Sequence, residues 1–273
     1  MKKPIFIDPM NEVKFRNEGY LILDLLSAAD IVSMLNFFDS VEEMHSGPIG
    51  VSVLTEQLPE RKAIHEALAP VFAKRLLPIL NDYKIAVCSF VVKQRQCAEA
   101  KFPLHQDPSF IDEKEQVGVT IWCPLSDVNM ENGNLGVVPR SHLLNAQYRT
   151  TCVLPYPELE TLLEDQYMQY LPMRAGQVLF MDQRMFHGSP ANYSDQARIA
   201  AIGVGVPCNQ PLLCCYVDYF HENKVLEIFE VPSDFYLRNI FGQRPNEGKH
   251  IHSIAYQVEE LTPDLLAQHF SNL

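Results

Sequence analysis

Phe102-Pro103-Leu104-His105-Gln106-Asp107 is the stretch on which the reading of this chain turns. On an extended segment, residues two apart point to the same side, so His105 and Asp107 can present an imidazole nitrogen and a carboxylate oxygen to one point. Such a triplet is common by accident, and a facial metal site needs a third ligand. The histidines downstream are His142, His187, His221, His250, His252 and His269. His187 stands out because it follows the apolar run Val178-Leu179-Phe180-Met181-Asp182 and precedes Gly188-Ser189-Pro190, a turn signal. Farther on, Arg198 opens another apolar strand. A lone arginine there is costly to bury without an anionic partner, and its planar fork suits a carboxylate held bidentately. Two histidines and one carboxylate leave coordination positions open, the arrangement of non-haem Fe(II) oxygenases. An arginine placed to hold a dicarboxylate co-substrate completes that reading.

The surroundings are strand-like. Ile85–Lys93, Val117–Cys123, Leu135–Pro139, Gln177–Met181 and Arg198–Val206 are short runs rich in Val, Ile, Phe and Cys, bounded by Pro, Gly, Asn and Asp. The segment before them is mixed. Gly19–Asp24 predicts a short strand, and Ser27-Ala28-Ala29-Asp30 a capped helix through Asp39 with Ile31, Leu35 and Phe38 on one face. Arg61–Leu80 predicts a second helix, kinked or broken at Pro70 and Pro78, with His65 in a packing or surface role. Helices followed by strands predict an α+β, mainly β fold whose second part is a sandwich or barrel. Thr151–Arg174 reads as a long insertion with a helical stretch near Leu159–Tyr167, of the kind that covers a site or moves.

Asp107 and His187 must meet at one metal, so the strands around them belong to one barrel. Residues 1–273 are therefore read as a single domain: 1–84 as helical and strand support, 85–206 as barrel core with the 151–174 insertion, and 207–273 as a C-terminal extension. That extension is dense in aromatics, among them Tyr216, Phe229, Tyr236 and Phe241. They read as core packing, or as a substrate wall or subunit interface. Leu261–Ala267 predicts a capped helix with Pro263 in its first turn.

With 34 acidic and 22 basic side chains the net charge is −12 and no Lys/Arg block occurs. That argues against nucleic acid, whose phosphates need clustered cations, and for a small-molecule substrate. The start of the chain lacks a signal-peptide apolar region, and no segment approaches the roughly 18 apolar residues of a membrane span. The expectation is a soluble cytoplasmic protein, monomer or homodimer, with no membrane partner. Cys88, Cys97, Cys123, Cys152, Cys208, Cys214 and Cys215 contain no CxxC spacing and read as reduced, mostly core thiols.

Residues 102–206 resemble the phytanoyl-CoA dioxygenase family of Fe(II)/2-oxoglutarate-dependent oxygenases. The blocks that carry the resemblance are Phe102–Asp107, Ile121–Asp127, Glu131–His142, Ala175–Phe180, His187–Pro190, Asn192, Ser194 and Arg198. The opening Gly19-Tyr20 strand and its helix extend it to roughly 15–206. Each block is weak alone; their order and spacing together are specific. The resemblance implies a double-stranded β-helix, a jelly-roll or cupin-like barrel, with flanking N-terminal helices. It implies His105, Asp107 and His187 as iron ligands, and Arg198 with Ser189 on the distal carboxylate of 2-oxoglutarate. Gln106, Trp122 and Phe102 fall at positions near co-substrate or substrate in relatives. Arg140 departs from the family, which usually has glycine before Ser-His. The implied reaction consumes O2 and 2-oxoglutarate, releases succinate and CO2, and hydroxylates a small metabolite. Desaturation, epoxidation and ring closure use the same ligands. Related halogenases lack the carboxylate ligand, so Asp107 argues against halogenation.

Single residues also carry expectations. Trp122 shares a strand face with Thr120, opposite Val119, Ile121 and Cys123. One of Lys93 and Gln94 must face the barrel interior, where it could meet the proximal carboxylate of 2-oxoglutarate or a substrate. His142 belongs to a turn, and His221, His250 and His252 to surface or loops. Two competing classes are a non-catalytic cupin-like binding protein and a zinc hydrolase at the same triad. The first has no need of Arg198, and the second lacks an evident general base.

Overall fold

The computed structural model describes residues 3–41, 47–145, 147–150, 156–220 and 224–271. Cys152, His221 and the start of the 151–174 segment lie outside them. In chain order the strands are β1 (Tyr20–Asp24), β2 (Ile49–Val51), β3 (Tyr83–Lys93), β4 (Phe102–His105), β5 (Val119–Pro124), β6 (Gly136–Val137) and β7 (Gln169–Tyr170). They continue as β8 (Gln177–Asp182), β9 (His187–Ser189), β10 (Arg198–Pro207), β11 (Leu212–Val217), β12 (Val225–Val231) and β13 (Lys249–Ala255). The helices are α1 (Pro9–Glu18), α2 (Ala28–Phe38), α3 (Leu58–Arg75), α4 (Glu160–Gln166), α5 (Phe235–Arg238) and α6 (Pro263–Ser271).

A six-stranded antiparallel sheet in the order β1-β8-β5-β10-β3-β2 and a four-stranded sheet β4-β9-β6-β7 make the barrel, with a separate sheet β11-β12-β13. Side chains that alternate along each large-sheet strand build two different surfaces. Val119, Ile121 and Cys123 of β5, Val178 and Phe180 of β8, and Phe90 and Val92 of β3 pack with Phe15, Met34, Phe38, Leu68 and Phe72 of the helices. Trp122, Leu179, Met181 and Ala200 face inward with Val137 and Leu171. Each fully buried Phe or Leu of this kind contributes about 1.5–3 kcal/mol over exposure. The contact is close: a Cβ on Gly203 would lie 2.6 Å from the Phe72 ring.

The helices follow their sequence signals. Ser27 and Asp30 form the reciprocal capping box of α2, and Ile31, Met34 and Phe38 are its buried face, with Leu35 only half-buried. In α3 the buried set Arg61, Ile64, Leu68 and Phe72 recurs at helical spacing. Pro70 sits inside α3, which ends at Arg75, and a short 3-10 turn over Leu77–Ile79 holds Pro78. The helix thus stops before Leu80 because Pro78 cannot continue it. α1 is a helix the sequence reading missed, although Asp8 caps its start, Pro9 opens it and Gly19 in the left-handed conformation ends it; β2 carries no strong sequence signal and joins the large sheet by pairing with β3.

The described part of the 151–174 segment does not lie over the barrel mouth. Tyr156, Leu159 and Leu163 pack with Leu104, Val138, Phe186 and Leu266 on the outside of the small sheet. Gln169 and Tyr170 pair with β6. Outward-facing Leu104 and Phe186 need an apolar cover, and this segment with α6 supplies it. The third sheet and α5 instead pack Leu212, Phe229, Phe235 and Tyr236 against Val87, Phe110 and Val204, at one end of the barrel.

Candidate active site

β4 and β9 are antiparallel, and their register sets His105 opposite His187. Asp107 continues the line of β4, and its backbone N–H donates to the Gln183 carbonyl in the turn before β9, at 3.1 Å. His105, Asp107 and His187 therefore converge, with one donor atom from each lying within 4.8 Å of the others. No other such cluster occurs among the described residues. His187 Nε2 is 3.8 Å from Asp107 Oδ1, and the two imidazoles are 4.1 Å apart at their centroids.

The orientation of each ligand is fixed from behind. His105 Nδ1 bonds the Pro103 carbonyl at 2.9 Å and His187 Nδ1 the Met185 carbonyl at 3.1 Å, which leaves both Nε2 atoms for a metal. Thr120 donates to Asp107 Oδ2 at 2.5 Å. Burial, and then the neighbouring His187, push the His105 imidazole down to about 4. It stays neutral at ordinary pH, as a metal ligand must.

The triad opens on a cavity of about 210 Å³ that Arg198, Trp122, Ser189, Phe102 and Thr120 also line. Arg198 is 2% exposed and sits over the Trp122 ring at 5.5 Å. Its Nε finds no hydrogen-bond partner among the described residues, and burial pulls the guanidinium down to about 10. A buried cation left this way is expensive, so the donor set fits a ligand with an anionic end.

The sequence profile of the phytanoyl-CoA dioxygenase (PhyH) family matches residues 15–200. The chain belongs to that family. Membership makes it an Fe(II)/2-oxoglutarate-dependent oxygenase, an enzyme class whose chemistry uses iron, 2-oxoglutarate and O2. Among solved structures it is similar to the non-haem α-ketoglutarate-dependent carbocyclase SnoK from nogalamycin biosynthesis, at 21% identity over 77% of this chain and 89% of that one, TM-score 0.54. HygX from Streptomyces hygroscopicus, with nickel and 2-oxoglutarate bound, shares 14% identity over 75% and 88% of the two chains, TM-score 0.55. The epimerase SnoN shares 19% over 94% and 95%, TM-score 0.54. At these identities the likeness concerns the fold, a double-stranded β-helix. No curated protein matches the sequence.

Two of the expected site residues fall outside the cavity: Gln106, placed by the family pattern, and Lys93, placed by strand alternation. Gln106 points away from the metal ligands on either side of it, as strand alternation requires, and its Nε2 donates to the Arg184 carbonyl and, at 3.5 Å, to Asn145. Lys93 is the inward-facing member of the Lys93/Gln94 pair and is fully buried. It turns behind β9, where its Nζ donates to the Ser189 carbonyl at 3.0 Å and to the Pro190 carbonyl. Burial, and then the nearby Arg198, bring its amine down to about 6.

The other histidines have separate duties: His142 Nε2 meets the Arg16 carbonyl, His269 Nε2 the Arg140 carbonyl, and His65 Nδ1 accepts from the Cys88 N–H. His250 and His252 are exposed on β13. Arg140 adopts φ 69°, the left-handed conformation that explains the family's usual glycine there, and it does not line the cavity.

Phe241 belongs to the aromatic set read as core packing, substrate wall or interface, and it lines the cavity; sequence reading missed the other far walls, Val51, Val53 and Leu54 on one side and Phe110 on another. No local pattern marks them, because three distant segments meet only in the fold. It also missed a buried ion pair, Arg149 with Glu113 at 2.8 Å, whose Arg149 Nε donates to the Asp107 carbonyl at 2.7 Å.

Proposed function

We propose that this enzyme hydroxylates a C–H bond of a small molecule. In that reaction substrate, 2-oxoglutarate and O2 become hydroxylated product, succinate and CO2. The supporting observation is one cavity that holds both the two-histidine, one-carboxylate cluster and a buried arginine that has no carboxylate partner among the described residues. His105 Nε2, Asp107 and His187 Nε2 would hold Fe(II), and Arg198 with the Ser189 hydroxyl would take the distal carboxylate of 2-oxoglutarate. Bound iron supplies the O2 chemistry, by which one oxygen atom enters succinate and the other the substrate. The chain's own work is positional. Pro103 and Met185 carbonyls fix the imidazoles, and Thr120 holds one oxygen of Asp107. The Trp122 face shields Arg198 from water and strengthens its hold on an anion.

The test is succinate formation by purified protein with Fe(II), 2-oxoglutarate and O2, beside Asp107→Ala and His187→Ala. Turnover by wild type and its loss in both variants, with folding kept, is the expected result. A wild-type protein that binds neither divalent metal nor 2-oxoglutarate sinks the reading.

A further inference from the structure

Apart from the triad and Arg198, no ionisable side chain lines the cavity among the described residues. Charged groups close to it are already engaged. The Arg61 guanidinium, 5.7 Å from the Phe241 ring, donates to the carbonyls of Tyr236, Asn239 and Thr55. Arg149 is paired with Glu113, and Lys93 is turned to two carbonyls behind β9. What remains is an apolar space between Val51, Val53 and Leu54 on one side and Phe110 and Phe241 on the other. Phe241 is held in place by rings, 4.9 Å from Tyr236 and 6.4 Å from Phe110. Once 2-oxoglutarate occupies Arg198, a charge on the substrate body meets no counter-charge here and must be desolvated without compensation.

We propose that the substrate is an uncharged molecule whose hydrocarbon body is gripped between the 51–54 segment and the Phe110–Phe241 pair; the inference rests on the oxygenase reading above. It excludes substrates that place a carboxylate, ammonium or phosphate group inside the cavity. The selecting side chains are Val53 and Phe241, drawn from the two ends of the chain rather than from the motif-bearing strands.

Trp122 is the chain's single tryptophan and lines this cavity, so its emission reports occupancy. The protein, loaded with redox-inert Zn(II) and saturating 2-oxoglutarate, is titrated with adamantan-1-ol, adamantane-1-carboxylate and adamantan-1-amine, which share one hydrocarbon body. The alcohol is expected to shift Trp122 emission to saturation, and each ion to bind at least about tenfold more weakly. Val53→Asp and Phe241→Asp are each expected to weaken the alcohol about tenfold or more while 2-oxoglutarate affinity is kept. Either ion binding as tightly as the alcohol, or no response to the alcohol, overturns the proposal. Failure of 2-oxoglutarate itself to bind the metal-loaded protein counts instead against the oxygenase reading. The wild-type titrations decide the matter even if a variant misfolds.

Discussion

Arg149 and Arg198 are buried to almost the same depth, 5% and 2% exposed, but only Arg198 lines the cavity. Arg149 meets Glu113, the Asp107 carbonyl and the Gln147 carbonyl. Arg198 meets an aromatic face and leaves Nε without a partner among the described residues. Desolvating a guanidinium costs several kcal/mol unless something repays it. For Arg149 the repayment is internal, and the product is a fixed backbone beside a metal ligand. For Arg198 no internal carboxylate among the described residues supplies it, and under the proposed function the repayment comes from 2-oxoglutarate.

Substitutions can break this contrast. Arg149→Met removes the guanidinium that Glu113 pairs with, so it should destabilise the protein by about 3–5 kcal/mol in urea denaturation, and adding Glu113→Leu should recover part of the loss. Arg198→Met, measured without metal or 2-oxoglutarate, should be neutral or stabilising by about 1–2 kcal/mol, because it replaces an uncompensated charge with an apolar chain. A loss as large as that of Arg149→Met would erase the distinction.

Smaller effects sharpen it. Thr120→Val keeps the fold but removes the hydroxyl on Asp107 Oδ2, and should weaken Ni(II) affinity about tenfold by calorimetry. Lys93 tests the same cost by pH. Its amine sits near 6 in the folded chain, below the ordinary lysine value, so between the two the unfolded chain binds more protons. Stability should therefore rise with pH through that window, and Lys93→Met should remove about 2–3 kcal/mol of the rise between about pH 6.5 and 8.5.

The contrast also marks where sequence reading succeeds. That His105, Asp107, His187 and Arg198 meet at one cavity was legible because strand alternation and turn residues are local, and a cation on an apolar strand announces its own cost. That Trp122 and Thr120 share one face followed from the same period of two, and the fold turns that face inward. Gln106 shows the limit of carrying a role over by position: its neighbours' geometry, visible in the same triplet, directs it away from the cavity. Arg149 and Glu113 carry no signal at all, since a buried ion pair looks like two surface charges until the fold brings them together. Val53 is likewise an apolar residue among many, and only the placement of the turn after β2 makes it a wall, whereas Phe241 stands in the aromatic set for which a substrate wall is one of the readings.

The most direct measurement is calorimetric titration of 2-oxoglutarate into Ni(II)-loaded wild type, Arg198→Met and Thr120→Val. Arg198→Met should lose about 100-fold or more in 2-oxoglutarate affinity, from the removed charge-assisted hydrogen bonds, while its Ni(II) affinity and thermal stability are retained. Unchanged 2-oxoglutarate affinity in Arg198→Met would contradict the assignment of this buried arginine to the co-substrate.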